Sequence, residues 1–414
     1  MSGVVIIGAG HAGSQLAVSL RAEGYMGQVT LIDAVDVLPY HKPPLSKTFL
    51  KDPGAQPQPL RAASAYDAAG VVRRTGIVTA IDTAAQEVTL GGEALTYDAL
   101  VLATGARTRM LPDLAGAGNV HALRDLADAE RLRAALAGAD RVVVIGGGFI
   151  GLESAAALAA MGKTVTVLEA APRLLARVAT PETSARVQAA LTGLGVSVRT
   201  GFVAQRYERR GGDVSVVQAT EGDIPCDLIL VGIGAVADAA LARAAGIACN
   251  QGILTDAHLR TSAPQVWAIG DVAEAPHWQA DAAVRVESVQ NATDQARHLA
   301  RTLAGLETGP FRTVPWFWSD IGPVKLQIAG LAIKADRRVV RDDGLRLAVF
   351  HLAGERLVSV ETLNSPSDHM IARQLLETGL TPPDAVMLEG AVALKAWLAQ
   401  IRDSMSAHHG PSGP

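Results

Sequence analysis

Three glycines, Gly8, Gly10 and Gly13, stand directly after an apolar run, Val4 to Ile7, and directly before a stretch with helical spacing that ends near Glu23-Gly24. Strand, tight turn and helix in that order are what a phosphate-binding loop requires. Gly8 permits the turn, Gly10 lets backbone approach a pyrophosphate, and Gly13 lets helix and sheet close on each other. The helix amino terminus then offers N–H donors that no turn of the helix uses. Val29 to Ile32 restore a strand, and at its end Asp33 is placed to accept hydrogen bonds from a ribose. His11, inside the loop, reads as a spacer rather than a base.

The same order returns 138 positions on, from Gly8 to Gly146. Arg141 to Ile145 make a strand, Gly146-Gly147-Gly148-Phe149-Ile150-Gly151 opens an alanine-rich helix, and Val165 to Leu168 lead to Glu169. Two complete units imply two adenine dinucleotides. Glu169 sorts the nicotinamide cofactors, because a carboxylate can hold both ribose hydroxyls of NAD but repels the extra 2'-phosphate of NADP. The expected donor is therefore NADH. Between and after these units, three apolar runs end on small or polar residues: Tyr97 to Leu102 on Ala103-Thr104-Gly105, Asp227 to Val231 on Gly232-Ile233-Gly234, and Gln265 to Ile269 on Gly270-Asp271. A carboxylate at the last of these can hold a ribityl hydroxyl. Cys226 and Cys249 are the only cysteines, too far apart in sequence for a redox dithiol motif and too few for a four-thiolate cluster. No metal site is expected.

These elements need a large frame, and 414 residues supply two or three domains at roughly 150 residues each. Hydrophobic residues at 49% and charged residues at 19% mark a globular chain, and aromatics at 4% leave small and aliphatic side chains to fill its core. The formal charge of -4 gives no general attraction for nucleic acid or an anionic membrane surface. No uncharged apolar run reaches the roughly 18 to 20 residues that span a bilayer. The amino terminus runs straight into its first strand without an export signal, which favours the cytoplasm.

Five further segments occur in a telling order: Pro43-Pro44-Leu45-Ser46-Lys47, the run from Val144 through Gly148 to Glu153, Ala268-Ile269-Gly270-Asp271-Val272, Glu287-Ser288-Val289-Gln290-Asn291-Ala292, and Pro315-Trp316-Phe317-Trp318-Ser319-Asp320. With them the sequence resembles the flavoproteins with two dinucleotide-binding domains. Within that group it resembles the FAD-dependent, NADH-linked ferredoxin reductases that serve Rieske oxygenases and bacterial cytochromes P450. The resemblance implies an α/β fold of two Rossmann-like, glutathione-reductase-like domains plus a small α+β carboxyl-terminal domain. It places FAD on residues 1–110 and 248–320, NADH on 111–247, the last domain on 321–403 and a flexible tail at 404–414. Strands are expected near 324–330, 337–341, 345–351 and 355–362, with helices near 367–377 and 383–402.

Residue by residue, the resemblance puts the FAD phosphates at Gly8, Gly10 and Gly13, its adenosine ribose at Asp33 and its ribityl chain near Asp271. Ala103, Thr104 and Gly105 lie at the same strand ends, while Gly146, Gly148, Phe149, Ile150 and Gly151 with Gly232, Ile233 and Gly234 form the NADH side. Lys42 replaces an arginine common in the family, keeping the charge without the planar fork. Lys47 corresponds to the flavin-proximal lysine and Glu153 to its carboxylate partner; Arg109, Val289, Gln290 and Trp318 line or shield the flavin. The loop continuing from Gly234, Ala235-Val236-Ala237-Asp238, departs from the family's usual Pro-Asn. The implied partner is a separate [2Fe-2S] ferredoxin feeding a P450 or Rieske oxygenase, with a monomeric reductase and a basic landing surface at Lys325, Lys334, Arg337, Arg338 and Arg341. An NADH oxidase or peroxidase is the alternative enzyme, disfavoured by the absence of an early cysteine; a flavin-containing signalling protein is the alternative of another class.

Overall fold

A computed structural model describes residues 3–218, 222–306 and 309–408. The chain forms two compact units, Met1–Leu175 with Leu191–Arg312, and Ala176–Ala190 with Thr313–Pro414.

The first unit is built on two sheets whose central strands run parallel; the first is extended by two antiparallel strands, Glu87–Leu90 and Val78–Asp82. In one, Gly3–Ile7 lies between Val29–Asp33 and Glu93–Leu102; Val71–Thr75 adds beyond Val29–Asp33, and Val266–Ala268 pairs with the far side of Glu93–Leu102. Its central strands, Gly3–Ile7 and Val29–Asp33 with the end of Glu93–Leu102, are buried on both faces, which is why they read as unbroken apolar runs. The period of two divides them: Val4 and Ile6 join a core with Leu16, Leu20, Trp267 and Leu299, whereas Val5 and Ile7 face Leu100, Leu102 and Ala268. Leu16 and Leu20 come from the helix His11–Ala22, and Leu299 from the helix Val289–Leu303 that packs beside it. In the second sheet Arg141–Ile145 lies between Thr164–Glu169 and Leu228–Val231, with Ser197–Thr200 and Val120–Ala122 at the edges. A short antiparallel pair, Ala106–Thr108 with Ala235–Ala237, ties the segments leaving the two sheets. Of the two positions where the family usually carries Pro-Asn, Ala237 ends this strand and Asp238 follows it, and Arg109 N donates to Gly234 O at 3.0 Å beside it.

The second unit is a five-stranded antiparallel sheet in the order Trp316–Ile321, Val324–Gly330, Arg356–Leu363, Leu347–Ala353, Arg337–Asp342, with the helix Pro366–Thr378 packed on it. All four expected strands are present. Trp316–Ile321 pairs along its whole length with Val324–Gly330, so the strand of the two tryptophans belongs to this sheet, and the unit starts at Thr313 rather than after Asp320. Ala176–Ala190 joins the same unit through the buried carboxylate of Glu361, which accepts from Thr180 N at 3.0 Å and from Thr183 Oγ1 at 2.6 Å. The single helix expected over 383–402 is two, Asp384–Glu389 and Ala391–His408, because Gly390 takes a φ of 111° that ends the first. The second of these runs through 404–408, where a tail was expected; 409–414 lie outside the described residues. No helix among the described residues is long and apolar enough to cross a membrane.

Candidate functional site

The first glycine loop is held by backbone alone. Gly8 N donates to Ile32 O at 2.8 Å, fixing the turn against the neighbouring strand. Side chains are excluded where the chain closes on itself: a Cβ on Gly8 would lie 2.3 Å from Ala103 O, and one on Gly13 2.0 Å from Gly8 O. At Gly10 a Cβ would meet nothing within 4 Å, so this part of the loop faces open space. Gly10 caps the helix without a side-chain acceptor, leaving first-turn N–H groups to whatever occupies that space. Asp33 sits at the end of the adjacent strand and accepts from Ala34 N at 2.7 Å; burial pushes its carboxyl above the usual range, against the backbone donors of Ala34, Ala9 and Val35.

Cations gather beside this loop. Lys42 is largely buried, and burial followed by the charge of Arg124 lowers its ammonium. Arg124 Nη2 lies 2.7 Å from Asp271 Oδ2, and its Nε donates to Ala106 O at 2.8 Å. The carboxylate expected at the end of the Gln265 to Ile269 run thus arrives paired with an arginine that no sequence motif marked. His11 opens the helix with Nε2 buried and without a hydrogen-bond partner, its ring edge-on to His41 at 5.8 Å. An open glycine, uncapped N–H groups, an orphaned imidazole nitrogen and two cations fit the pyrophosphate of FAD.

The second loop repeats the geometry. Gly146 N donates to Leu168 O at 2.8 Å, and a Cβ on Gly146 would lie 2.5 Å from Gly232 O, a Cβ on Gly151 2.5 Å from Gly146 O. Gly148 caps Phe149–Ala160, again without a side-chain acceptor. Glu169 Oε2 accepts from Gly147 N at 2.5 Å and Oε1 from Ala171 N at 2.7 Å, which turns the carboxylate onto the loop. The neighbouring strand ends are tied together: Thr104 Oγ1 donates to Asp238 O at 2.7 Å, and Asp238 N to Gly105 O at 2.9 Å.

Lys47 and Glu153, 106 positions apart, meet. Pro43 and Pro44 start a short 3₁₀ turn, Pro43–Ser46, that ends on Lys47 and aims its side chain at the second nucleotide helix. There Lys47 Nζ lies 2.9 Å from Glu153 Oε1, and Ser46 Oγ donates to Glu153 Oε2 at 2.5 Å. Glu153 is only 5% exposed, so these partners take the place of water around its carboxylate. Ser46 was not singled out from sequence, although its place in the Pro-Pro-Leu-Ser-Lys turn, one residue before the lysine, was the available signal.

The remaining expected residues are placed as follows. Arg109 is exposed. Val289 begins its helix after the Ser288 cap, and Gln290 donates to Asp294 one turn on. Trp318 lies in the second compact unit, its ring 5.7 Å from that of Trp316. The basic landing surface is largely neutralised, because Arg337 pairs with Asp384 at 2.6 Å, Arg338 with Glu182 at 3.1 Å, and Arg341 with Asp368. Both cysteines are free thiols, and burial pushes Cys226 up to about 11.

Comparison with known proteins gives the chain's relatives. The family described as pyridine nucleotide-disulphide oxidoreductase matches residues 2–296, and the family described as reductase C-terminal matches 316–398. Rhodocoxin reductase of Rhodococcus erythropolis is 44% identical over 97% of this chain and 95% of its own length. The ferredoxin--NAD(+) reductase component of the anthranilate 1,2-dioxygenase system of Burkholderia cepacia is 38% identical over 95% of this chain and 98% of its own. The crystal structure of the ferredoxin reductase for the CYP199A2 system from Rhodopseudomonas palustris superposes with a TM-score of 0.92 at 39% identity, over 96% of this chain and 99% of that one.

Proposed function

The chain belongs to the pyridine nucleotide-disulphide oxidoreductase family, and from that premise we propose that it is an NADH-dependent ferredoxin reductase that passes electrons through FAD to a [2Fe-2S] ferredoxin. One observation carries the reading: two complete dinucleotide loops stand in one compact unit with an ion pair, Lys47 and Glu153, running from the first sheet's turn to the second sheet's helix. When bound, FAD supplies a centre that takes up a hydride and gives electrons back one at a time.

The chain's own residues do the rest. The first loop, Asp33, Lys42 and the Arg124 pair with Asp271 hold the dinucleotide that stays. Ala103, Thr104 and Gly105 set the strand end beside it, and Gly232, Ile233 and Gly234 set its counterpart beside the second loop. That loop, with Gly146, Gly148, Phe149, Ile150 and Gly151, receives the dinucleotide that comes and goes, and Glu169 accepts from its ribose. Lys47 keeps a positive charge where negative charge gathers on reduction, and it does so without reorganising. Glu153 positions Lys47 and is itself held by Ser46.

The terminal acceptor is a P450 or Rieske oxygenase, reached through the ferredoxin, and the protein works in the cytoplasm where NADH is regenerated. The names of the two relatives' systems, one a dioxygenase and one a CYP, support this class of acceptor. The deciding measurement is NADH consumption with oxygen alone against consumption after a [2Fe-2S] ferredoxin is added. Strong ferredoxin dependence is expected. Turnover that oxygen alone sustains at the same rate would replace the reading with an NADH oxidase.

A further inference from the structure

The charges around the first loop do not balance those of the ligand that the loop receives. Lys42 and Arg124 bring two positive charges, which Asp271 and Asp33 oppose, whereas the pyrophosphate of FAD carries two negative charges. Further positive charge is wanted within the cradle. A group able to supply it is His11, whose Nε2 is buried and without a partner at the helix end that faces the open space at Gly10.

We propose that loading of FAD takes up a proton on His11, which then stands as a charged hydrogen-bond donor beside the pyrophosphate. This rests on the reading of the first loop as the FAD site.

The groups that face His11 make the loop poised for this. Its own helix presents no charged side chain near it, since Ser14 and Gln15 are the polar residues of the next turn. The segment before the Pro-Pro turn brings His41 and Lys42, the chain after Val120–Ala122 brings Arg124, and Gly270–Val272 brings Asp271. Without the dinucleotide, burial is the largest influence and His41, Lys42 and Arg124 add to it; only Asp271 opposes them, and the imidazole is held down to about 4. A dianion arriving within hydrogen-bonding reach reverses the balance, because it accepts from Nε2 and outweighs the neighbouring cations. The sign follows from linkage. The imidazole is more basic with FAD bound, so the added affinity is fully present below its free value of about 4 and is lost as pH rises through the bound value. Between the two, one linked proton makes affinity fall by up to about tenfold per pH unit.

The test uses the holoenzyme. FAD release, read as the rise in flavin fluorescence on dilution, is followed from pH 5.5 to 8.5, alongside a titration of the histidine side chains of the parent by ¹⁵N NMR, with the His11 signal assigned by through-bond correlation to its own backbone. Release from the parent is expected to quicken by roughly tenfold per pH unit over part of that range, with the His11 imidazole charged at pH 6. Release from His11→Asn is expected to be faster at low pH and nearly independent of pH. A His11 imidazole that stays neutral at pH 6 in the holoenzyme would overturn the proposal, even if the variant does not fold. So would an equal pH slope in parent and variant. Should the denatured protein yield no FAD at all, the cofactor reading itself fails, a result separate from either of these.

Discussion

The two glycine loops share a backbone and differ in what surrounds it. In both, the first glycine N–H binds the adjacent strand at 2.8 Å, the last glycine meets the first one's carbonyl, and a carboxylate waits at the end of the next strand. Five residues after the middle glycine, however, the first helix carries Gln15 and the second Glu153. Gln15 accepts from Arg61, 46 positions on, at 2.8 Å and donates to Ser19 at 2.7 Å; Glu153 reaches 107 positions back to Ser46, and to Lys47 beside it. Beside the first loop stand His11, Lys42 and the Arg124 pair. On the proposed reading, grasping a dinucleotide is a property of the backbone, and the side chains distinguish a loop flanked by cations from one whose helix carries the Glu153 ion pair.

Breaking the shared geometry should have the largest effect and should separate the loops. In Gly13→Ala the added Cβ would lie 2.0 Å from Gly8 O, a backbone atom that cannot step aside, so the purified protein is expected to lose FAD. In Gly151→Ala the corresponding 2.5 Å approach displaces the other loop; FAD should stay, with reduction by NADH slowed by about 100-fold or more. Flavin absorbance per chain and stopped-flow reduction report the two outcomes. If both variants lost flavin equally, the division of labour between the loops would be wrong.

Next in size is Lys47→Ala. Loss of a preorganised charge costs about 100-fold in comparable electrostatic sites, and the loss should fall on the rate of flavin reduction by NADH, measured in the absence of ferredoxin. Ser46→Ala removes only a donor to Glu153 and should slow the same step less, with Ser46→Thr restoring it. Parental reduction rates in Lys47→Ala would remove its assigned role.

Glu169→Ala sharpens the comparison from the other side. Its carboxylate is already turned onto Gly147 and Ala171, so its removal should both weaken NADH and admit the 2'-phosphate. One good polar anchor is worth about 1 to 3 kcal/mol, or roughly 5- to 150-fold in kcat/KM. An unchanged preference for NADH over NADPH in the variant would show that discrimination lies elsewhere.

The loops were legible in the sequence because their chemistry is local: three glycines, a strand before and a helix after can be read within about 30 residues. The long-range partners beside them were not. Arg124 and Asp271 are separated by 147 positions and meet only because their sheets bring the strand ends together. Arg124 follows a three-residue strand, Val120–Ala122, and carries no pattern that distinguishes it from other arginines. Lys47 and Glu153 came instead from family resemblance, which supplied a long-range pairing that periodicity alone does not contain. The helix break at Gly390 lay in the other direction: an apolar rhythm continued across it, and a single glycine in a helical pattern is not by itself a stop.

The smallest effect is expected in the second unit, where sequence suggested a basic landing surface. A run such as Arg337-Arg338 adds to a long-range field only if its charges are not cancelled nearby. Here Asp384, Glu182 and Asp368 each stand against one of Arg337, Arg338 and Arg341. Arg338→Ala exchanges one exposed ion pair for one exposed carboxylate, a change worth roughly 0 to 1 kcal/mol to the fold. Steering of an acidic ferredoxin should weaken slightly, with KM rising by about twofold at low salt and not at all once the Debye length shrinks below about 10 Å. Ferredoxin titrations at several ionic strengths measure this directly. A rise of about tenfold that salt abolishes would mean that Arg338 faces the partner despite Glu182, and that pairing within the unit does not silence a charge toward its surroundings.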